Sequence, residues 1–287
     1  MTIPPPPNAL ALLKEAGLFA KKSWGQNFLL DQSVLAEAAR LAVERGGERV
    51  LELGAGLGAL TYHLLAQGAR VAAVERDREM VPLLTQALAW SNGLTIIEAD
   101  AARLDYAELA RARGGPLAVA GNLPYQLSSR ILVSLADAWP NVERAVVLLQ
   151  REVAERLTAP PDSRTYGLLS VLVGRSFSAH IARHVPPAAF HPRPKVHSAL
   201  VVLDLVQRER DAAADQALVA TARASFHSRR KTLRNSLSSG LAAEPAVVEQ
   251  AILAAGLSPQ ARAETLSLAD FDRLSVAVKE RGLLVAR

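Results

Sequence analysis

Between residues 49 and 159, short apolar runs alternate with stretches of helical periodicity, and this alternation restricts the chain to few folds. The apolar runs, each of strand length, are 49–54, 70–75, 94–100, 116–122 and 144–150. The helical stretches between and after them are 59–68, 78–90, 128–139 and 151–159. Uninterrupted apolar strands joined by helices are typical of a parallel sheet that is covered on both faces. The sequence therefore predicts a doubly wound α/β domain.

The pattern changes after residue 160. The segments 177–185 and 198–206 have strand character with no long helix between them, and we expect them to complete the sheet as an antiparallel pair. From residue 208 the chain is rich in alanine and helical in periodicity. The prediction is a mostly parallel sheet with one antiparallel strand near its end. The predicted parts are an N-terminal extension (1–34), an α/β domain (35–207) and a small C-terminal α-helical domain (208–287).

The composition excludes several classes of protein. Without cysteine the chain forms neither disulfides nor thiolate metal sites. His191 and His197 have no His, Cys or carboxylate partner at ligand spacing, and we expect no metal. The N-terminus lacks the basic region and apolar run of a signal peptide, and no stretch reaches the ~18 apolar residues of a membrane span. We therefore expect a soluble, cytoplasmic protein. Its net charge of +5 is compatible with nucleic-acid binding but does not require it.

Three features stand at the ends of successive predicted strands. In "LELGAGLGALT", Gly54 and Gly56 lie between a strand and a helix, where glycine permits a tight turn and close approach of a nucleotide. Glu75 ends the next strand, in position to accept hydrogen bonds from a ribose diol. Asp100 ends the third strand, where it would either accept from an adenine amino group or cap the following helix. The glycine spacing also satisfies the dinucleotide fingerprint through Ala59, so NAD stays open at this point.

The fourth strand ends in Asn122-Leu123-Pro124-Tyr125. The Asn122 side-chain oxygen and the Leu123 carbonyl could hold the two N–H groups of an aromatic amine and aim its lone pair at a methyl donor. Pro124 fixes the backbone, and the Tyr125 ring could stack on a base. Phe190, in a proline-stiffened loop, would be a second stacking face or a core residue. An ordinary turn is the alternative interpretation of the whole stretch.

A basic segment, "FHSRRKTLRNSL" at 226–237, contains no acid. On a helix its cations would share a face and could contact a phosphate backbone, although such runs are also common on solvated surfaces. Its cations are Arg229, Arg230, Lys231 and Arg234. Lys21 and Lys22 form a smaller basic pair near the N-terminus, and we expect all six to contact RNA.

The chain resembles the small-subunit ribosomal RNA adenine dimethyltransferases. The resemblance runs from Lys21 to the C-terminal helices, and the blocks follow the family's order. The blocks are "KKSWGQNFLLD", "LELGAGLGALT", "VERD", "EADA", "GNLPYQLSSRIL", "LLQREVAERL", "YGLLSVL", "VPPAAFHPRPKVHSALV" and "FHSRRKTLRNSL". His197 departs from the pattern, since the family commonly has an acid there, and this puts one local contact in doubt.

The resemblance implies a Rossmann-like class I methyltransferase fold, with S-adenosylmethionine as methyl donor. It implies N6,N6-dimethylation of two adjacent adenosines in the 3′-terminal hairpin of 16S rRNA, within the immature 30S subunit. The implied donor-binding residues are Gln26, Asn27, Leu29, Gly54, Gly56, Glu75, Asp100 and Asn122. The implied target-adenine residues are Asn122, Leu123, Pro124, Tyr125 and Phe190. The N-terminal extension would contribute to the donor site, the C-terminal helices would dock on the subunit, and we expect a monomer.

Three alternatives stay open. A 23S rRNA adenine methyltransferase of the antibiotic-resistance type shares the donor site and the Asn-Pro-aromatic motif, but the "RRKTLRN" block argues against it by resemblance. An NAD-dependent dehydrogenase would explain the glycine spacing but not the 122–125 motif or the basic segment. A non-catalytic assembly or transcription factor on the same scaffold would have no need of an intact 122–125 motif.

Overall fold

A computed structural model of the chain describes residues 3–21, 24–44, 49–207 and 210–284. Contacts divide the chain into two units: Met1–Ala154 with Phe177–Leu205, and Glu155–Ser176 with Val206–Arg287. We call them the sheet unit and the helical unit. In chain order the elements are α1 (Ala9–Glu15), β1 (Phe28–Leu29), α2 (Gln32–Val43), β2 (Arg49–Leu53), α3 (Ala59–Ala66), β3 (Arg70–Glu75), α4 (Met80–Ala87), β4 (Leu94–Glu98), α5 (Tyr106–Ala112), β5 (Leu117–Asn122), α6 (Ser128–Asp137), β6 (Val142–Gln150), α7 (Arg151–Leu157), α8 (Leu168–Gly174), β7 (Phe177–Val185), β8 (Phe190–His191), β9 (Ser198–Leu205), α9 (Ala212–Ser225), α10 (Leu233–Leu241), α11 (Pro245–Ala254) and α12 (Leu268–Glu280).

The sheet unit contains a seven-stranded sheet in the order β4-β3-β2-β5-β6-β9-β7. Strands β2 to β6 pair in parallel, and β9 is antiparallel to both β6 and β7. This confirms the predicted doubly wound, mostly parallel sheet with one antiparallel strand. From the central strand β2, the chain adds β3 and β4 on one side and then returns to place β5 on the other side. Because these strands are parallel, the carboxyl ends of β2, β3, β4 and β5 lie along one edge. A ligand crevice is expected at such a switch point.

Close contact between strands requires glycine within β5. A Cβ on Gly121 would lie 2.6 Å from the Leu53 carbonyl oxygen, which is backbone and cannot move aside. At the start of α3, Gly58 has φ +82, and a Cβ there would lie 2.7 Å from Leu84 of α4. These small residues let β2, β5, α3 and α4 approach closely, and that approach fixes the turn between β2 and α3.

The N-terminal segment is attached to the sheet unit by a second, two-stranded sheet. Strand β1 pairs antiparallel with β8, with Leu29 opposite Phe190. The Leu30 amide donates to the Ala189 carbonyl at 2.8 Å and extends this pairing. Residues 24–29 are thereby held in place beside the ends of the central strands.

The helical unit contains α8 to α12, together with the end of α7. The predicted domain boundary placed residues 155–176 in the α/β domain, whereas contacts group them with the C-terminal helices. Two hydrogen bonds are consistent with this grouping: the Tyr166 hydroxyl donates to the Leu266 carbonyl at 2.8 Å, and buried Arg175 donates to Asp215 at 3.2 Å. Among the described helices none is long and apolar enough to cross a membrane.

Candidate active site

A cavity opens at the carboxyl ends of β2, β3, β4 and β5, bordered by the N-terminal segment. It gathers most of the positions that the sequence singled out. Those positions are Gln26, Asn27, Leu29, Gly54, Gly56, Glu75, Asp100, Asn122, Leu123, Pro124 and Tyr125. The predicted strand ends therefore meet around one cavity.

The glycine turn after β2 forms one wall. Gly54 and Gly56 have φ of +74 and +56, a region in which side chains are strained. A Cβ on Gly56 would also lie 3.3 Å from the Phe28 ring. The Gly56 amide donates to the Glu75 carboxylate at 2.8 Å, so the turn and the end of β3 hold each other in place.

Glu75 and Asp100 both keep acceptor capacity towards the cavity. One Glu75 oxygen accepts from the Arg76 and Asp77 amides, each at 2.8 Å, and the other from Gly56. A carboxylate accepts about four hydrogen bonds, so one position remains for a ribose hydroxyl. Asp100 accepts from the Ala102 amide at 3.0 Å, as a helix cap does, and also lines the cavity. The cap is observed, and the contact of Asp100 with an adenine amino group stays a prediction.

Asn122 has one anchored atom and one free acceptor. Its Nδ2 donates to the Asn27 carbonyl at 2.7 Å, which leaves Oδ1 accepting from no described residue. The Tyr125 hydroxyl shares a 2.8 Å hydrogen bond with buried Ser198 of β9, which fixes its ring. Burial raises the pKa of Tyr125, so the hydroxyl stays neutral. An acceptor amide and an oriented ring suit an aromatic amine.

A network of polar side chains attaches the N-terminal segment to the end of β3. Buried Asp77 accepts from Lys21 Nζ at 2.8 Å and from Gln26 Nε2 at 3.0 Å. Lys21 also pairs with Glu79 at 2.5 Å, and these hydrogen bonds raise the pKa of Lys21. The Lys21 amide donates to Gln26 Oε1 at 2.8 Å. Gln26 therefore uses both ends of its amide inside the protein.

This network gives Lys21 a structural role, and its contact with RNA stays a prediction. Two carboxylates neutralise its ammonium, which makes Lys21 an anchor of the N-terminal segment and a poor ligand for RNA phosphate. Its predicted partner, Lys22, lies outside the described residues.

Phe190 is placed differently from the other predicted pocket residues. Its side chain is 4% exposed and packs in the hydrophobic core of the sheet unit, and it is not among the residues lining the cavity. The pairing of β1 with β8 sets it opposite Leu29, which does line the cavity. Its role as a stacking face for the base stays a prediction.

The basic segment is not one continuous helix, the condition under which its cations would have shared a face. Thr232 accepts from the Asn235 amide and caps α10, which begins at Leu233, so 229–231 lie in the preceding turn. The three turn cations are exposed, and Arg229 donates to the Arg164 carbonyl at 3.1 Å. Arg234 alone lies on the helix, where it pairs with Glu249 at 2.9 Å.

The cavity also contains residues that the sequence analysis missed. Glu52 of β2 is 2% exposed, lines the cavity and has one carboxylate oxygen without a hydrogen-bond partner. Burial raises its pKa to about 8, helped by the charge of Glu75 and opposed by Thr61. The sequence did contain a signal for Glu52, because it is a single acidic residue within an apolar strand. Trp24 lines the same cavity with the Arg76 guanidinium 4.2 Å from its ring centroid, a contact with no sequence signal.

The residues present fit a nucleoside-containing methyl donor. Both glycines of the turn have a positive φ that disfavours side chains, Glu75 keeps one acceptor position, and the Glu52 carboxyl lines the cavity with an unpartnered oxygen. A Rossmann-like sheet with this turn and the Asn-Leu-Pro-Tyr strand end defines a class I methyltransferase.

The chain belongs to the ribosomal RNA adenine dimethylase family, whose model matches residues 17–279. This confirms the resemblance seen in the sequence and rules out the dehydrogenase. The chain is thus a ribosomal RNA adenine dimethyltransferase, and S-adenosylmethionine is its methyl donor. It is 56% identical over 277 residues to the ribosomal RNA small subunit methyltransferase A of Anaeromyxobacter sp. (strain K), covering 93% of this chain and 96% of that protein. The Myxococcus xanthus (strain DK1622) protein of that name is 45% identical over 271 residues, covering 93% and 94%.

Two solved structures share the fold over most of the chain. The 23S rRNA methyltransferase ErmE aligns with a TM-score of 0.66 and 26% identity, covering 88% of this chain and 99% of that one. A dimethyladenosine transferase from Plasmodium falciparum aligns with a TM-score of 0.69 and 22% identity, covering 89% and 98%.

Proposed function

We propose that this chain dimethylates N6 of two adjacent adenosines in the 3′-terminal hairpin of 16S rRNA, in the immature small subunit. The observation that carries the proposal is the single cavity in which the glycine turn and Glu75 meet Asn122 and Tyr125. The small-subunit target is supported by the 56% identity to a relative named for that activity.

On the donor side, we assign nucleoside recognition to Glu75, Asp100 and the glycine turn, and the neighbouring wall to Asn27 and Leu29. Glu75 would accept from the ribose hydroxyls through its remaining lone pair, and Asp100 would accept from the adenine amino group. When bound, S-adenosylmethionine supplies a methyl group on a cationic sulfur, which leaves as a neutral thioether.

On the acceptor side, Asn122 Oδ1 and the Leu123 carbonyl would accept the two N–H groups of the target amine. That pairing turns the nitrogen lone pair towards the donor and stabilises the positive charge that develops on nitrogen. The carbonyl is available because no described residue donates to it. Tyr125, held by Ser198, would stack on the base. No general base is required, since the methylated cationic nitrogen loses its proton readily.

Docking on the subunit is assigned to the exposed turn cations Arg229, Arg230 and Lys231. Each is free of carboxylate partners among the described residues, unlike Arg234. We propose that the protein acts as a monomer, and in the cytoplasm because its ribosomal substrate matures there.

The test is transfer of labelled methyl groups to purified small subunits that lack the modification, followed by mass mapping of the rRNA fragments. We expect label on two adjacent adenosines of the 3′-terminal hairpin. The likeness to ErmE makes large subunits the matched substrate to run in parallel. Label on 23S rRNA, with none on small subunits, would overturn the proposal in favour of that activity.

A further inference from the structure

Three arginines meet at the edge of the sheet opposite the active-site cavity. Arg49 begins β2 and Arg70 begins β3, and the two are directly paired in the parallel register. Arg113 follows the end of α5, and its Nη2 donates to the Arg70 carbonyl at 3.0 Å. Together they line a cavity that also exposes Asn92 and Thr95. We call these three residues the arginine cluster.

The charge of the arginine cluster is not compensated within the protein. Among the described residues, none of the three guanidinium groups forms an ion pair with a carboxylate, in contrast to Arg78, which pairs with Glu98. The pKa of Arg113 is lowered by burial and by the positive charges of Arg49 and Arg70. Like charges held this close repel each other, and an anion placed between them would remove the repulsion.

The cluster also contains hydrogen-bond donors without acceptors. Nε of Arg49 and Nε of Arg113 are both buried, and neither has a hydrogen-bond partner. Buried donors are nearly always satisfied in folded proteins, so two in one cavity call for an explanation such as a bound ion. Gly115 packs against the Arg49 guanidinium, so closely that a Cβ on Gly115 would lie 3.1 Å from Arg49 Nη2. This contact restricts where the guanidinium can move.

We propose that the arginine cluster is a binding site for a phosphate group, separate from the donor cavity. Guanidinium groups match phosphate oxygens with paired N–H donors, and Asn92 and Thr95 add neutral donors at the same cavity. Strand β3 runs from Arg70 to Glu75. Its six residues span about 17 Å, so both sites can be occupied at once.

The phosphate could come from the RNA backbone or from a free phosphate or pyrophosphate ion. The test uses the full chain, the double variant Arg70→Gln/Arg113→Gln, and the control Arg111→Gln/Arg223→Gln. The control removes the same charge from two exposed helix positions outside this cavity. Thermal unfolding is measured against inorganic phosphate and pyrophosphate at constant ionic strength, with chloride as the balancing anion.

We expect the Tm of the parent to rise with phosphate concentration and saturate, by about 3 °C when phosphate is at ten times its dissociation constant. The control should show the same rise, and the double variant should show none. Without phosphate the double variant should unfold close to the parent, because relief of repulsion offsets loss of the hydrogen bond from Arg113 to the Arg70 carbonyl. Equal phosphate responses in the double variant and the control, or none in the parent, would overturn the proposal.

A second arm identifies the source. Affinity for purified small subunits is measured against salt concentration for the same three proteins. If RNA occupies the site, the double variant binds small subunits more weakly. The slope of log affinity against log salt concentration then becomes less steep, by about 1 for each lost phosphate contact. Unchanged subunit binding with a lost phosphate response assigns the site to a free ion. Neither arm depends on methyl transfer, so the result stands apart from the proposed reaction, and S-adenosylmethionine affinity checks that the donor cavity is intact.

Discussion

The side-chain amide of Asn122 divides two tasks between its two polar atoms. Nδ2 is held by the Asn27 carbonyl at 2.7 Å, and Oδ1 is left to accept from the target amine. We expect Asn122→Ala to lower single-turnover methyl transfer by about 10²-fold or more, since it removes an acceptor aimed at developing charge. Unfolding free energy should fall by only about 1 kcal/mol, the worth of one hydrogen bond.

The matched control for this variant is Asn141→Ala. Asn141 Nδ2 donates to the Ala138 carbonyl at 3.1 Å, so its loss removes a similar hydrogen bond in the same unit. Rapid-quench transfer assays and urea unfolding compare the two variants. A near-normal transfer rate for Asn122→Ala would remove this residue from the mechanism.

Glu52 gives the free protein a pH-dependent stability. Its folded pKa of about 8 lies above the unfolded value of 4.5, so the folded state binds more protons between these pH values. The contribution of Glu52 to stability is full below the unfolded pKa and is lost as pH rises through the folded pKa. Glu52→Gln should therefore become progressively more stable than the parent from pH 5 to pH 8. The difference should change by up to about 1.4 kcal/mol per pH unit, measured by urea unfolding across the range. A constant difference would show that Glu52 is already ionised in the folded protein.

At the scale of helices, close packing in the helical unit depends on glycine. A Cβ on Gly240 of α10 would lie 2.5 Å from the Ala224 Cα in α9. Gly240→Ala should therefore push two helices apart and destabilise the protein by about 2 kcal/mol. Gly174, in the last turn of α8, has open space where a Cβ would lie, with no neighbouring atom within 4 Å, so Gly174→Ala should stabilise by up to about 1 kcal/mol. In thermal unfolding, Gly240→Ala should lower the Tm and Gly174→Ala should raise it. Equal shifts of the Tm in the two variants would show that packing does not distinguish these glycines.

Periodicity predicted the central strands well, because strands buried on both faces are apolar along their whole length. Strand β3 was expected at 70–75 and spans Arg70–Glu75. The predicted strand ends also indicated which glycines and hydrogen-bond acceptors line the cavity. Elements that depend on distant partners were not predictable: β1 has two residues and exists because β8 pairs with it. The start of α10 was missed because a Thr232 cap, and not the run of cations, determines it. Distance along the chain also explains Lys21, which looks unpaired in the sequence because its partners Asp77 and Glu79 are more than fifty residues away.

For the molecule as a whole, the distribution of positive charge should matter more than the net charge of +5. Lys21 and Arg234 are paired with carboxylates, so among the described members of the predicted RNA-binding set the exposed turn 229–231 is left to contact phosphate. We expect the triple variant Arg229→Gln/Arg230→Gln/Lys231→Gln to bind small subunits more weakly. The magnitude of its log–log salt slope should decrease by about 2 to 3, at about 0.7 to 0.9 for each lost contact, while S-adenosylmethionine affinity is unchanged.

The control for this prediction removes three other exposed cations of the helical unit, Arg223, Arg262 and Lys279, and so leaves the same net charge. If general attraction by a basic protein drives binding, the two triple variants lose affinity equally and their salt slopes coincide. If the turn itself contacts the RNA backbone, the control keeps the parent's slope, because counterions are released only where phosphates are contacted. Filter-binding measurements over a range of KCl concentrations distinguish these outcomes, and coinciding slopes would show that the turn has no specific role.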